Sequence, residues 1–191
     1  MVKTELDICN ASLSLLGADS ITSFEDGSTE SDACKLHYLR IIDAALSMYN
    51  WSFAIKKETL AKSSILPTAD WLNAFYLPAD CLVVRSISGR SSAIGRDYAI
   101  IGKQLHCNES NVLLRYVHRV APVDMPAFFE AYVVNKLASE MSNIITGSNT
   151  MTSIMRTITN EAFSIAKNTD ALSQSPKTMP QSALVIKRRG W

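Results

Sequence analysis

The sequence predicts an α+β protein, mainly α, in which a bundle of about four helices carries an inserted small antiparallel β-domain and ends in an extended C-terminal arm. Three observations predict it. Apolar residues recur at helical spacing up to the segment Tyr49–Leu60, short β-type runs broken by turn residues follow until about Val120, and helical spacing then returns. The corresponding division is 1–54 and 121–172 for the bundle, 55–120 for the β-domain and 173–191 for the arm.

Thr4 and Asp7 have the spacing of a capping box, and Leu6, Cys9, Leu13 and Leu16 follow at three- and four-residue steps until Gly17 stops the first helix. Ala18 to Gly27 reads as a loop. Thr29 with Asp32 opens a second helix whose face is Cys34, Tyr38, Ile41, Ala45 and Met48, ending near Asn50. The two helices are expected to fold back on each other as a hairpin, across a connection longer than simple bundles use.

Pro67 makes Ser63 to Asp70 a loop. Four or five short antiparallel strands are expected after it: Ala74 to Leu77, Cys81 to Ile87, Asp97 to Ile101, Gln104 to Cys107, and Val112 to Val120. Gly102-Lys103 separates two of them by the length of a tight hairpin. Gly89 to Gly95 reads as an exposed loop.

Pro126 marks the start of a third helix, since proline is tolerated in a first turn. Phe129, Val133, Leu137, Met141 and Ile144 give it enough apolar surface for the middle of a bundle, and Gly147 stops it. Ser148 or Thr150 caps a fourth, amphipathic helix with Met151, Ile154, Met155, Ile158, Ala162, Ile165 and Ala166, reaching about Leu172. From Ser173 the apolar period is lost, two prolines appear, and the chain ends Lys187-Arg188-Arg189-Gly190-Trp191, which reads equally as a plain frayed end or as an extended arm suited to ordering on a partner.

With 191 residues the chain can bury a core without disulfides or metals. Nineteen basic against eighteen acidic residues give a net charge of +1, so any nucleic-acid contact must be local. The acidic N-terminal stretch and the lack of long apolar runs predict no membrane span and synthesis in the cytoplasm. Cys9, Cys34, Cys81 and Cys107 lie far apart within apolar patterns, as buried reduced thiols do.

No phosphate-cradling glycine loop, nucleophile elbow or zincin helix is present. His106 and Cys107 have ligand chemistry but, as neighbours on a strand, face opposite ways. Cys81 with His118 is the conceivable nucleophile pair, with no local signature behind it. His37 reads as a partly buried polar residue, and the Glu25, Asp26, Glu30 and Asp32 cluster as a solvated loop and helix N-terminus. Trp51, Phe53, Trp71, Phe75 and Tyr76, interleaved with Lys56, Lys57 and Lys62, fit a junction core better than a base-stacking platform.

Taken in order, Ile8-Cys9-Asn10-Ala11-Ser12-Leu13 with Leu16-Gly17, Trp51-Ser52-Phe53-Ala54 with Leu60-Ala61, Tyr76-Leu77-Pro78-Ala79-Asp80-Cys81-Leu82, Leu114-Arg115-Tyr116-Val117 and Phe128 to Met141 resemble the head-to-tail adaptors of short-tailed bacteriophages, the tail tubular protein A family. The resemblance covers roughly residues 6 to 172. It implies a virion structural protein made in the host cytoplasm, with no cofactor and no catalytic residues. It also implies a dodecameric ring at the head-tail junction, between the portal protein and the tail nozzle, which extends the channel for genomic DNA. Lys187, Arg188, Arg189 and Trp191 of the arm are then candidate portal contacts. Two other functions remain compatible with the residues: a small nucleic-acid-binding module and a cysteine-dependent enzyme.

Overall fold

The computed structural model describes residues 3–65, 67, 70–87 and 98–173. Among them are four helices, α1 (Glu5–Leu15), α2 (Thr29–Met48), α3 (Ala127–Thr146) and α4 (Asn149–Leu172). Six strands lie between α2 and α3: β1 (Ile55–Thr59), β2 (Asn73–Tyr76), β3 (Cys81–Ile87), β4 (Tyr98–Ile101), β5 (Gln104–Cys107) and β6 (Leu113–His118). The fold is thus α+β and mainly α. The expected loop 89–95 and the arm from residue 174 onward, including Lys187, Arg188, Arg189 and Trp191, lie outside the described residues.

Local chemistry sets the helix ends. Thr4 accepts from the Asp7 N–H while Asp7 accepts from the Thr4 N–H, the reciprocal box that Thr4 and Asp7 predict. On α2 the cap is Ser28 rather than Thr29, its hydroxyl accepting from the Ser31 N–H at 3.1 Å. A 3-10 turn over Pro122–Asp124 precedes α3 and shifts its start, so Pro126 is the N-cap and not a first-turn residue. Gly147 ends α3 in the left-handed region at φ 62°, where a side chain would be strained. Ser148, the first of the two expected candidates, caps α4.

The expected α1–α2 hairpin is replaced by a different arrangement. Each of the two helices packs mainly on α3, and α4 packs on α3 as well, so α3 is the central helix that its apolar content predicts. Phe129, Val133, Leu137 and Met141 are buried in the bundle core, whereas Ile144 is exposed. The long α1–α2 connection is itself packed: Ile21 is buried, and both its N–H and its C=O bond the Asn10 side chain. Met48, expected on the inner face of α2, is exposed in the last turn, where its sulfur accepts from the Tyr132 hydroxyl.

The strands form two antiparallel sheets, in the orders β1-β6-β3 and β2-β5-β4. Six strands exceed the four or five expected because β1 emerges directly from the aromatic seam and pairs with β6, Ile55 opposite Val117. The β4–β5 hairpin turns at Gly102, φ 61°, with Ile101 opposite Gln104. Two apolar clusters result. One is the helical core; the other gathers Leu60, Phe75, Ile87, Leu105, Cys107, Val112, Leu114 and Tyr116. β6 serves both, since period-two alternation sends Leu114 and Tyr116 into the second cluster and Val117 into the first.

Candidate functional site

The seam Tyr49–Ala54 joins the helices to the strands around one buried aromatic. The Trp51 ring is fully buried, 5.0 Å centroid to centroid from both Tyr49 and Phe129 in edge-on geometry, and it also meets Phe53, Phe128, Tyr132 and Phe163. Its Nε1–H donates to the Ala45 carbonyl at 2.9 Å, which satisfies the one polar atom of the indole. Ser52 to Ala54 then form a 3-10 turn.

That turn is capped from far along the chain. Asp170, fully buried on α4, accepts from the Ser52 N–H with both carboxylate oxygens at 3.1 Å and from the Ser52 hydroxyl at 2.6 Å. A buried carboxylate is tolerated only with such partners. Three more polar links tie the helices to the β1-β6-β3 sheet. Arg85 on β3 donates to the Ser47 and Tyr49 carbonyls at the C-terminal end of α2, where a cation is favoured. Arg119 pairs with Asp43, its Nε 2.7 Å from the carboxylate, and His118 Nδ1 lies 2.9 Å from the Ala54 carbonyl.

The residues with candidate chemistry fall as follows. The β3–β6 register places Cys81 opposite His118, so the conceivable nucleophile pair is brought together on neighbouring strands. Its chemistry runs the other way from activation: burial, with the Asp80 carboxylate adding to it, pushes the Cys81 thiol up to about 11. At pH 8 the thiolate fraction of such a group is about one in a thousand. Iodoacetamide labelling of the native chain, followed at the Cys81 peptide, should accordingly be about a hundredfold slower than for an unfolded reference peptide and should accelerate toward pH 11. Labelling as fast as the reference would restore the nucleophile reading.

His106 and Cys107 do not converge. Cys107 shares its face of β5 with Leu105 in the second apolar cluster, while His106 is opposite Ala74 and Ala99 in the register, buried and without a hydrogen-bond partner among the described residues. His37 is buried on α2 beside Arg40, and desolvation, reinforced by that guanidinium, holds its pKa below the usual imidazole range. Asp26 accepts from the Ser28 N–H and hydroxyl, bonds that hold its carboxyl below the usual range, and Glu25 pairs with Lys35. Among the described residues no group of three or more His, Cys, Asp or Glu is placed to hold a metal ion.

Nor is there a stacking platform in the aromatic set. Trp51 and Phe75 are buried, Phe53 and Trp71 half-buried, and Tyr76 alone of the five is exposed. Lys56 is engaged by Asp80 at 2.9 Å, and Asp80 and Glu58 both lie within hydrogen-bond distance of the Tyr116 hydroxyl. Burial and those carboxylates keep the Tyr116 proton on beyond the usual phenol range.

What remains outward and unusual is apolar. On α4, Ile154, Ile158, Ile165 and Leu172 are exposed, although the sequence pattern counts the three isoleucines with the buried face; the periodic pattern contains two stripes, of which Met155 and Ala166 belong to the inner one. On α2, Leu36 and Leu39 are exposed on the side away from Cys34, Tyr38 and Ile41. No helix among the described residues is long and apolar enough to cross a membrane.

A bundle tied to one of two small sheets by polar links, with apolar helix faces turned outward, describes a structural subunit. The family model for the tail tubular protein matches residues 6–174, and the chain belongs to that family of phage tail proteins. No curated protein matches it.

Proposed function

We propose that this phage tail protein is a head-to-tail adaptor, a ring of copies, dodecameric by family resemblance, between the portal protein and the tail nozzle. The ring lengthens the channel through which genomic DNA passes without sequence-specific contact, and the chain performs no chemistry of its own. The observation that carries this reading is the family match across 6–174, which takes in all four helices and both sheets. The near-neutral charge supports it too, because a channel wall must let a polyanion slide.

Within this reading the layout is a bundle from 1–54 and 121–172, an inserted β-domain from 55–120 and an arm from 173–191. The apolar clusters support it in part: the second draws only on Leu60 to Tyr116, whereas the first joins residues from both flanking segments and also takes in Val117 and Val120.

Electron microscopy of the purified chain with and without its portal tests the reading. Twelve-fold rings, free or portal-bound, are expected; a chain that stays monomeric and ignores the portal would overturn it. The arm is assigned to the portal, with Lys187, Arg188, Arg189 and Trp191 as its anchors, because Trp and Arg supply much of the energy of protein interfaces. Removing residues 180–191 should weaken portal binding by at least about tenfold, measured by co-sedimentation. Binding equal to that of the full chain would dismiss the arm as an anchor.

A further inference from the structure

On α4, Ile154, Ile158, Ile165 and Leu172 stand exposed along one line, and Glu161 falls within it. The other charges of the helix are elsewhere. Arg156 and Lys167 lie two residues beyond Ile154 and Ile165, nearly opposite them on the helix; Lys167 covers the Tyr49 and Phe163 rings, and Asp170 is buried against Ser52. On α3, against which α4 packs, Glu130 pairs with Lys3 and Lys136 with Glu140. Glu161 is thus a single acid on an apolar line, with no ion pair among the described residues.

The described residues end at Ser173, one position past the last leucine of that line. Residues 174–191, which follow, contain Lys177, Lys187, Arg188 and Arg189 and no Asp or Glu, and their apolar run Ala183-Leu184-Val185-Ile186 directly precedes the basic cluster. Such a segment complements an apolar line that carries one acid. The outer face of α2 offers no such match, since Asp32, Lys35, Arg40 and Asp43 lie around Leu36 and Leu39 with both signs of charge.

Lengths agree as well. The nine residues 174–182 can span up to about 30 Å, whereas Ile165 is only about 10 Å back along α4 from Leu172. The chain can therefore reverse and run over its own helix. Along an extended segment side chains on one face repeat every two residues, about 6.6 Å, and Ile165 and Glu161, four helical residues apart, are separated by about 6 Å. Setting Ile186 on Ile165 thus brings Arg188 to Glu161 and leaves Leu184 toward Leu172.

We infer that residues 183–188 dock on the α4 of their own chain as an extended segment antiparallel to the helix, with Leu184 and Ile186 against Leu172 and Ile165 and with Arg188 against Glu161. Alternation turns Lys187, Arg189 and Trp191 the other way, so α4 presents three of the four proposed portal anchors outward. The docking requires neither the ring nor the portal.

Cysteine pairing in the full chain without portal tests it. Ile165→Cys with Ile186→Cys, exposed to oxidised glutathione, should form a disulfide within one chain at least about tenfold faster than Arg156→Cys with Ile186→Cys, because docking raises the concentration of one thiol at the other. Monomer-sized bands on a denaturing, non-reducing gel, with the 165–186 link confirmed by peptide mass, are the expected result. Ile165 and Arg156 are both exposed, so neither change reaches the core. Adding Glu161→Arg should slow the pairing by about threefold or more, and adding Arg188→Glu to that variant should restore it. Equal rates for the two cysteine pairs would overturn the docking. Links that join two chains would give the arm to another copy and overturn it too. A rate indifferent to both charge changes would overturn the Arg188 register. A chain that pairs as expected yet never forms rings would keep the docking and remove only the ring reading.

Discussion

Trp51→Ala is expected to destabilise the chain by about 3 to 5 kcal/mol, the range for deleting a large aromatic from a closed core. The ring has no exposed surface, and the six aromatic rings around it belong to the seam, α3 and α4. They cannot all collapse onto one gap, because they are anchored in different elements. The loss is compounded at Ala45, whose carbonyl would no longer receive the indole N–H. Urea denaturation of the full chain measures it, with Trp51→Phe as the intermediate case that keeps most of the ring contacts but loses that hydrogen bond. A loss below about 1 kcal/mol would show that the seam is packed much more loosely than its ring contacts imply.

Asp170→Ala should cost about 1.5 to 3 kcal/mol, as expected for hydrogen bonds to a charged acceptor that leave a donor unsatisfied when removed. The carboxylate bonds the Ser52 N–H and hydroxyl, so its loss orphans the first N–H of the 3-10 turn. A double-mutant cycle with Ser52→Ala isolates the link: an interaction energy of about 0.5 kcal/mol or more is expected for groups in one hydrogen-bonded unit. Strict additivity would mean that α4 and the seam merely lie side by side.

These two residues also mark how far the sequence is legible. Trp51 lies where helical spacing changes to strand spacing, and a large aromatic at such a boundary reads directly as junction core. Asp170 leaves only a faint trace: a lone carboxylate four residues after Ala166 on the inner line of α4, which a residue-by-residue wheel would flag as a buried charge in need of a partner. The partner itself is not legible, since nothing local connects Ser52 with it. The same limit explains the strands. β3 is found at Cys81–Ile87 as expected from its dense β-branched and apolar run, but the separation into two sheets depends on which strand finds β6, and that is a long-range choice.

Helix surfaces are the other blind spot. Isoleucine on α4 satisfies a hydrophobic period whether it faces the core or a neighbouring molecule, so Ile154, Ile158 and Ile165 cannot be separated from Met155 and Ala166 by pattern alone. The helix hairpin fails for a related reason. Chain proximity favours α1 against α2, yet the broad apolar surface of α3 offers both a better partner from far along the chain, as the ion pair from Lys3 to Glu130 illustrates.

The span between Ser52 and Asp170, 118 positions along the chain, has a consequence for the order of events at the ribosome. When α1 and α2 have emerged, their inner faces have no α3 to rest on, and the 3-10 turn has no carboxylate to hold it. Both wait until the strands and two further helices have been made. The N-terminal helices are therefore translated long before they can be completed, and the last turn of α4 acts as the latch that commits them. Slow, non-local closure of this kind predicts late, concerted folding, with the newborn N-terminal helices dependent on dilution or a chaperone until the latch arrives.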